Sequence, residues 1–323
     1  MGLTNYPNGL TSFGVPLLGG GRFSSPWATH YFVDATDGND GNSGLSPDRA
    51  FATIQRAVDV SSGGDVIYIN PQTYKLGTGF NRYTEDITIA QGGAGGSGVV
   101  DTNANKSIIG VTQRQYPSDM VGVRTKYSTA AHGGWNIESP GTHIENIGHF
   151  AEDATTAAIH FESNGATRTK GWDGASMYNV MIKGKQVRFT GGSGDMSIVN
   201  CKFQAKYDGS GTPLLNLIGS AGAVNRMSVI GCDFIGGNAN NYATAPVTGA
   251  APVTSFVMRD CHFSQDPDSG DFINFAGSTN SGVVSNCYFG SEGLAAKMGT
   301  LTSGSSGIHA AGLFDENGAV DMS

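Results

Sequence analysis

Charged residues are scarce in this chain, and long apolar runs are missing from it. Only 14% of the 323 residues are charged, and the net charge of −8 disfavours nucleic acid as a partner. No apolar stretch has the length of a membrane span, and the N-terminus lacks the basic-then-apolar pattern of a signal peptide. We therefore expect no membrane partner, no nucleic-acid partner and no export by a signal peptide.

The chain has only four cysteines, and their spacing excludes the usual zinc motifs. There is no Cys-x-x-Cys pair and no Cys–His spacing of the zinc type. Consecutive cysteines are instead 31, 29 and 26 residues apart. A disulfide between neighbouring turns is conceivable, but disulfide geometry is demanding and stacked side chains point the same way. The favoured interpretation is a set of free, buried thiols.

Each cysteine lies in a repeated frame, in which apolar residues precede it and Phe follows two residues later. The four copies occupy residues 198–203, 229–234, 257–263 and 283–289. Alternation of Cys and Phe around one polar residue is the period of a strand with one buried face. The frame predicts a structural core ladder of Cys201, Phe203, Cys232, Phe234, Cys261, Phe263, Cys287 and Phe289.

Weaker copies of this frame and a second strand in each turn extend the pattern. The weaker copies lie at residues 107–111, 145–148 and 179–182, and the second strands at 158–161, 186–189, 214–217 and 272–275. Recurrence at varying intervals is typical of a solenoid, and the 49 glycines can supply its corners. The pattern predicts an all-β fold, a right-handed single-stranded parallel β-helix over residues 31–290. Roughly eight turns, each ~4.8 Å from the next, would make a rod about 40 Å long.

A short capping helix is predicted at residues 46–62, ahead of the first full strand. Ser46 is the expected N-cap, Pro47 the first helical residue and Asp48 an acid in the first turn. The apolar positions share one face: Ala50, Phe51, Ile54, Ala57 and Val58. Such a helix can cover the open end of a solenoid core.

Residues 75–142 fit the solenoid pattern least well. Residues 85–89 could form a strand. The Gly-rich loop at residues 91–98 lacks the Lys-Ser/Thr ending of a phosphate-binding loop. Residues 116–135 are predicted to leave the coil as an excursion.

The run over residues 31–74 contains DGNDGNSGLSPDRAFATIQRAV followed by GDVIYINPQTY. This run resembles the opening of pectate-lyase-like β-helix proteins. The resemblance is specific for the fold and implies no particular activity.

Residues 1–30 lie outside the solenoid pattern, because Pro and Gly interrupt both helix and strand there. The segments LTNYPNG and SFGVP are similar to the start of a group of tailed-bacteriophage virion proteins, in which a comparable arm precedes a β-helix. The resemblance implies an extended N-terminal arm that attaches the protein to its partner through Leu3, Asn5, Tyr6, Pro7, Leu10, Phe13, Val15 and Pro16.

The resemblance further implies a non-enzymatic structural protein of the virion, assembled in the host cytoplasm. We expect a homotrimer that decorates or cements the phage head by binding the major capsid protein. Residues 291–323 are predicted to be a C-terminal cap or contact arm, anchored by Ile308, Leu313 and Phe314. The alternative is a tailspike or fibre module that binds or cleaves a host surface polysaccharide, and a stand-alone polysaccharide enzyme is the third possibility.

A polysaccharide hydrolase on this scaffold needs two carboxylates at matched positions on adjacent turns. Asp233 follows its cysteine whereas Asp260 precedes its own, so we expect these two acids to be offset. Three further acids cluster in one loop and are interpreted as solvated turn residues: Asp266, Asp268 and Asp271. No catalytic residue is therefore assigned.

Other enzyme interpretations have weaker support. Residues 232–239 resemble a pectin-methylesterase strand, but the Arg-x-Trp of that family is absent and its Gln-Asp pair, at 265–266, comes in the wrong order. Residues 37–42 have oxygen ligands for Ca²⁺ but lack the closing Glu of an EF-hand, and are more typical of Asx turns. The clustered histidines have no metal-ligand spacing: His132, His143, His149 and His160. No metal and no cofactor are assigned.

Overall fold

The structure is a computed structural model, and it describes residues 11–12, 15–16, 28–71, 74–75, 79–80, 83–90, 102–111, 123–126, 134–151, 157–163, 171–191, 193–205, 213–218, 223–236, 245–250, 252–264, 271–276, 279–290, 307–315 and 318–320. Within these residues the secondary structure is almost entirely β, with one α-helix and one 3₁₀ turn. No helix among them has the length and apolar character needed to cross a membrane.

Three sheets run along the coil, and the chain visits them in a repeating order. The predicted right-handed parallel β-helix is thereby confirmed. The first sheet has ten parallel strands, His30–Val33, Val66–Ile69, Ser107–Gly110, His143–Glu145, Ser176–Tyr178, Ser197–Val199, Ser228–Ile230, Phe256–Arg259, Ser281–Ser285 and Gly307–Ala311.

The other two main sheets complete each turn. The second sheet contains Tyr83–Thr84, Val123–Lys126, Ile147–Phe150, Met181–Gly184, Lys202–Ala205, Asp233–Ile235, His262–Phe263, Tyr288–Phe289, Leu313–Asp315 and the antiparallel Gly318–Val320. The third contains Ile87–Ile89, Trp135–Ile137, Ile159–Glu162, Val187–Thr190, Leu215–Ile218, Val247–Gly249 and Ile273–Phe275. Smaller sheets pair Thr11–Ser12 with Val15–Pro16, Tyr74–Lys75 with Gly79–Phe80, and Ser193–Gly194 with Val224–Asn225 and Val253–Thr254.

Residues in the left-handed backbone conformation form the corner between the first and second sheets. Their φ angles lie between 52° and 61°, and they stack turn upon turn: Asn146, Asn179, Asn200, Gly231, Asp260, Asn286 and Gly312. Gly and Asn adopt this conformation at lower cost than other residues. A second such column precedes the first sheet, at Gly64, Asn105, Gly141, Gly174, Asp195, Arg226 and Ser255.

The frame predicted as one strand is therefore two strands in two sheets. Ser197–Val199 belongs to the first sheet, Asn200 turns the chain with a φ of 52°, and Lys202–Ala205 belongs to the second sheet. The corner leaves both Ile198 and Cys201 buried in the core. In an uninterrupted strand these two side chains, three residues apart, would face opposite sides.

The eight residues of the core ladder lie in two inward columns along the second sheet. Cys201, Cys232, Cys261 and Cys287 follow one another in register, all buried and all with free thiols. In the next column successive Phe rings stack with centroids 5.0, 4.6 and 4.8 Å apart: Phe203, Phe234, Phe263 and Phe289. These columns make the C-terminal half of the core a continuous apolar stack.

Toward the N-terminus the column of Phe rings is replaced by a polar pair. Thr125 and His149 occupy paired inward positions, and Thr125 Oγ1 lies 2.7 Å from His149 Nδ1. Trp135 Nε1 donates to the same Thr125 oxygen at 3.3 Å. All three side chains are buried, so hydrogen bonds satisfy polar atoms within this layer of the core.

The N-terminal helix is shorter than the predicted range of 46–62. Pro47–Arg49 forms only a 3₁₀ turn, and the α-helix spans Ile54–Val60. Phe51 lies between them and donates its N–H to the carbonyl of Phe32 at 2.9 Å. This pairing with the first strand of the coil keeps the chain extended where the periodicity predicts helix.

The N-terminus of the α-helix is capped by side chains that were not predicted from the sequence. Ser46, the predicted N-cap, makes no capping hydrogen bond, whereas Thr53 Oγ1 accepts from Arg56 N at 3.2 Å. The Glu85 carboxylate accepts from the first two helical N–H groups at 2.9 and 2.8 Å. Burial raises the pKa of Glu85, and its backbone hydrogen bonds only partly oppose that shift.

The C-terminus of the helix is capped by a buried lysine. Lys106 Nζ donates to the carbonyls of Val58 and Ser61 at 2.8 and 2.7 Å. A cation is favourable at this end of a helix dipole. The helix packs against Ile87–Ile89 and so covers the open end of the coil through its buried residues, Ile54, Ala57 and Val58.

The turn at residues 37–42 is held by side-chain hydrogen bonds to the backbone. Asn39 Oδ1 accepts from Gly41 N at 2.8 Å, which is an Asx turn. Asp40 Oδ1 accepts from Ala52 N at 2.9 Å and so ties the turn to the segment before the helix. In the part of the chain that the structure describes, no group of three His, Cys, Asp or Glu side chains could hold a metal.

Residues 291–323, predicted as a cap or contact arm, contain a further turn of the coil. Gly307–Ala311 joins the first sheet, Leu313–Asp315 the second, and Gly318–Val320 then folds back antiparallel. The reversed strand covers the edge of the second sheet. Two predicted anchors, Ile308 and Leu313, are buried, but Phe314 is 43% exposed.

The predicted excursion at residues 116–135 is wrong for the residues that the structure describes there. Val123–Lys126 pairs in parallel with Ile147–Phe150 and is part of the second sheet. Trp135 begins a strand of the third sheet and is buried in the core. Polar residues in inward positions, such as Thr125, hide the solenoid period in the sequence.

Candidate functional site

The outer face of the third sheet carries a column of polar side chains, one in each turn. They are in register along the whole sheet: Thr88, Asn136, His160, Arg188, Asn216, Thr248 and Asn274. Each faces outward, because the residues before and after it in the strand are buried. The column presents hydrogen-bonding groups along the rod at a spacing of ~4.8 Å.

A second polar column lies beside the first on three adjacent turns. Glu138 and Glu162 directly follow the paired residues Ile137 and Phe161, and Glu162 pairs with Thr190. The third-sheet cluster is the set of Asn136, Glu138, His160, Glu162, Arg188 and Thr190. At the following turns the second column is apolar: Ile218, Ala250 and Ala276.

Hydrogen bonds connect the cluster along and across its strands. Asn136 Nδ2 donates to Glu138 Oε1 at 3.0 Å, and His160 Nε2 lies 2.8 Å from Thr190 Oγ1. Burial lowers the pKa of the His160 imidazole, although the nearby Glu162 carboxylate opposes the shift. His160 is therefore a neutral hydrogen-bonding group at pH 7.

Among the described residues, two buried polar atoms on this face have no hydrogen-bond partner, Asn136 Oδ1 and Arg188 Nε. Buried polar atoms are normally paired, so an unpaired acceptor and an unpaired cationic donor are sites for a ligand or for water. Hydroxyl groups can both donate and accept. The face is therefore chemically suited to a polyhydroxylated ligand lying along the coil.

Glu138 and Glu162 are a matched carboxylate pair that was not predicted from the sequence. Adjacent strands lie ~4.8 Å apart, and retaining glycosidases hold their two carboxyl groups ~5–5.5 Å apart. The signal was present in the sequence, because both acids end similar strand copies, WNIE at 135–138 and IHFE at 159–162. Finding it required the register between turns, which the weak upstream frame does not provide.

The acids considered from the sequence are not brought together. Asp233 pairs with His262 on the outer face of the second sheet, where its carboxylate lies 3.8 Å from His262 Nδ1. Asp260 is at the corner of the next turn, two residues before the matching position, so the predicted offset is observed.

Asp271 accepts from Asn274 Nδ2 at 3.2 Å beside the third sheet. Asp266 and Asp268 lie outside the described residues.

The clustered histidines lie on different faces. His143 faces outward on the first sheet, His149 is buried inside the second sheet, and His160 faces outward on the third sheet. His132 lies outside the described residues. The sequence proximity of the three described histidines therefore does not create one site.

Most of the attachment arm also lies outside the described residues. This applies to Leu3, Asn5, Tyr6, Pro7, Leu10 and Phe13. Val15–Pro16 pairs antiparallel with Thr11–Ser12, so the chain reverses direction there. The four described residues of the arm are therefore in extended β-strands, and the attachment role of the arm stays a prediction.

The architecture defines a class, the right-handed parallel β-helix proteins, with a polar ladder on one outer face. Similar solved structures include a rhamnogalacturonan lyase, with 14% identity, a TM-score of 0.45 and coverage of 81% of this chain and 69% of that one. Pectate lyase Pel9A has 14% identity, a TM-score of 0.43 and coverage of 90% of this chain and 78% of that one. ORF18 of Geobacillus virus E2 has 14% identity, a TM-score of 0.37 and coverage of 89% of this chain and 60% of that one. At such identities the likeness concerns the fold alone. No protein-family model matches the chain, and no curated protein matches its sequence.

Proposed function

We propose that this chain is a structural protein of a tailed-bacteriophage particle. It forms a trimer that decorates or cements the head by binding the major capsid protein. The observation that carries the proposal is the resemblance of residues 3–16 to the arm that precedes a β-helix in phage virion proteins.

The described coil supports a role as a self-sufficient rod. Its apolar core is one continuous cluster that extends from Val33 to Leu313. Helix Ile54–Val60 packs over one end, and the antiparallel strand Gly318–Val320 lies against the other. A rod with covered ends needs no partner to complete its core, which leaves the arm available for attachment.

An arm of this composition has a physical reason to bind a partner. Its apolar residues show no period that would bury them against the coil. An unfolded arm loses ~1–2 kcal/mol of conformational entropy per residue on ordering, so only an extensive contact fixes it. Three arms on one trimer would bind with a high effective concentration.

Deletion of residues 1–21 tests the proposal. The truncated chain is expected to stay folded and trimeric, as measured by circular dichroism and analytical ultracentrifugation. It should no longer co-sediment with phage particles that lack the protein, whereas the full chain should. If both chains sediment with the particles to the same extent, the arm is not the attachment device.

A second function, binding of a host surface polysaccharide, is favoured by the third-sheet cluster. The cluster combines two carboxylates, an imidazole and the unpaired Arg188 Nε on one outer face. A tailspike or fibre module would use such a ladder to hold successive sugar units.

Arg188→Ala separates the two functions. If the face binds capsular polysaccharide or lipopolysaccharide, the variant should bind at least tenfold more weakly in isothermal titration calorimetry. Arg259→Ala is the matched control, since it removes the same charge from an exposed position on the first sheet. Absence of polysaccharide binding by the unmodified chain would leave the attachment function as the only one proposed.

A further inference from the structure

On the outer face of the first sheet, one histidine links a serine to a glutamate. Ser107, His143 and Ser176 occupy the same position on three adjacent strands. His143 Nδ1 lies 2.8 Å from Ser176 Oγ, and His143 Nε2 lies 3.0 Å from Glu145 Oε2. Glu145 is two residues after His143 in the same strand and so faces the same side.

The imidazole and the carboxylate are shielded from water, whereas the serine is at the boundary. The side chain of His143 is 2% exposed and that of Glu145 is 17% exposed. Ser176 is half-buried. A hydrogen bond in such a shielded site is less weakened by competition with water.

The contacts of His143 assign a tautomer to its neutral imidazole. An ionised carboxylate only accepts hydrogen bonds, so Nε2 is the protonated nitrogen and donates to Glu145. In the neutral imidazole, Nδ1 is then an acceptor and faces the Ser176 hydroxyl. An activated nucleophile has these three parts: a serine, a base that accepts its proton, and an acid that orients the base.

We propose that Ser176 is a nucleophile that accepts the acyl group of a small ester, with His143 as general base and Glu145 as positioning residue. Ser176 Oγ bonds to the ester carbonyl carbon while its proton passes to His143 Nδ1. The C–O bond to the alcohol breaks, and the alcohol leaves with that proton. Water then attacks the acyl-serine through the same base, which releases the carboxylic acid and restores Ser176.

A second observation indicates that a bound polar group lies beside this site. Ser107 is 1% exposed, and within the part of the chain that the structure describes its Oγ has no hydrogen-bond partner. It lies on the other side of the His143 strand from Ser176. A buried hydroxyl without a partner normally indicates water or a ligand group in contact with it.

The outward column of the first sheet that contains Ser107, His143 and Ser176 also contains two serines that serve as controls. Ser197 and Ser228 continue it on the next two turns, but neither has a histidine in the paired positions. These serines share the backbone setting of Ser176 without a base. Any difference in reactivity between Ser176 and Ser228 therefore reports on His143 rather than on the fold.

The expected rate is modest, because the backbone N–H of Ser176 donates to Thr142 O at 2.9 Å. That amide is unavailable to stabilise the negative charge on the carbonyl oxygen. General-base assistance alone contributes typically 10²–10⁴-fold. A reactive phosphonylating probe is consequently the sensitive test of the site.

The test is treatment of the purified full-length chain with a fluorophosphonate, followed by peptide mass spectrometry. Ser176 Oγ should displace fluoride from phosphorus and become the labelled residue. Label should be lost in Ser176→Ala and unchanged in Ser228→Ala, and its rate should fall about 100-fold in His143→Gln. For Glu145→Ala, the side-chain ¹⁵N spectrum of His143 should change from one tautomer to a mixture, which a merely structural role would not produce.

An unlabelled native chain, label on another residue, or equal labelling in Ser176→Ala overturns the proposal. Equal labelling rates in a folded His143→Gln variant overturn it as well. If thermal melting shows no folding transition for the His143 variant, the result for Ser176→Ala alone decides the test. That substitution removes a single half-buried oxygen and is expected to leave the fold intact. Hydrolysis of p-nitrophenyl acetate by the same proteins tests the acyl step, with loss in Ser176→Ala expected.

Discussion

Asn179 donates its side-chain Nδ2 to Asn146 Oδ1 at 2.6 Å, from the same corner of the adjacent turn. Both residues have the left-handed backbone conformation, with φ angles of 53° and 57°. The hydrogen bond links successive corners and partly offsets the cost of that conformation. The corner column is thus a row of positions where residue type is dictated by the backbone rather than by burial.

Asn200 provides a test of this corner column. Asn200→Ala should lower the free energy of unfolding by about 1–2 kcal/mol, because Ala has a Cβ and no side-chain polar group to support a φ of 52°. Asn200→Gly should change it by less than ~0.5 kcal/mol, since Gly231 already occupies the matching position on the next turn. Urea denaturation of the three proteins measures the difference. Equal midpoints for the Ala and Gly variants would contradict the assignment.

The same corner shows how far the sequence determines the fold. The period of Cys and Phe identifies the buried columns and the β-helix, because each repeat carries the same large apolar residues. It does not reveal that Asn200 divides the repeat between two sheets, since Asn is equally common in ordinary turns. Upstream, Thr125 and His149 replace the Phe column, and there the period is lost from the sequence.

The stacked Phe column is expected to be a main source of stability. Phe234 lies between two rings at centroid distances of 5.0 and 4.6 Å and is fully buried. Phe234→Ala should therefore cost about 3–5 kcal/mol, the usual range for a buried aromatic residue. Phe314→Ala, at a 43% exposed position, is the control and should stay within ~0.5 kcal/mol of the unmodified chain. Similar destabilisation by both variants would argue against the stacked core.

The four thiols should resist a chromogenic disulfide reagent until the chain unfolds. The thiolate is the reactive form, and burial raises the pKa of the Cys232 thiol. All four cysteines are buried. Labelling is followed by absorbance in the native state and again in denaturant, where four equivalents should react. Rapid labelling of two or more cysteines in the native chain would remove the ladder assignment.

Glu85 at the helix N-terminus should make stability depend on pH. Burial raises its pKa above the usual 4.5, so the unfolded carboxyl ionises at lower pH than the folded one. The unmodified chain should therefore lose stability relative to Glu85→Gln as the pH rises from 4.5 through the folded pKa, and the difference should then stay constant. Thermal melts at several pH values measure this. Asp37→Asn, which changes an acid at an exposed turn position, is the control, and a difference that changes in the opposite direction would contradict the shift.

The candidate sites were less predictable than the fold, for a specific physical reason. Ser176, His143 and Glu145 come from two turns, and Glu138 and Glu162 are likewise neighbours only through the pairing of adjacent turns. Their contacts depend on register, and loop lengths between turns vary. The sequence contains the partial signal that Ser107, Ser176, Ser197 and Ser228 each open a strand copy, with His143 as the exception. That exception becomes meaningful only once the strands are aligned.

The third-sheet cluster is expected to cleave no polysaccharide, even if it binds one. Glu138 is only 9% exposed, and its Oε1 already accepts from Asn136 Nδ2. A general acid must reach the glycosidic oxygen within hydrogen-bond distance, and this carboxyl is poorly placed to do so. Incubation of the purified chain with host capsule or lipopolysaccharide should accordingly release no reducing ends.

The same assay on four variants decides what any turnover would mean. Glu138→Gln and Glu162→Gln address the matched pair, and Asp233→Asn and Asp271→Asn address the acids considered from the sequence. Release of reducing ends that either Gln variant abolishes would make the third-sheet cluster an active site and the chain a glycosidase. Release abolished only by an Asn variant would place catalysis on the second sheet or beside Asn274. In either case the proposed structural role in a virion would not account for the chemistry of the coil.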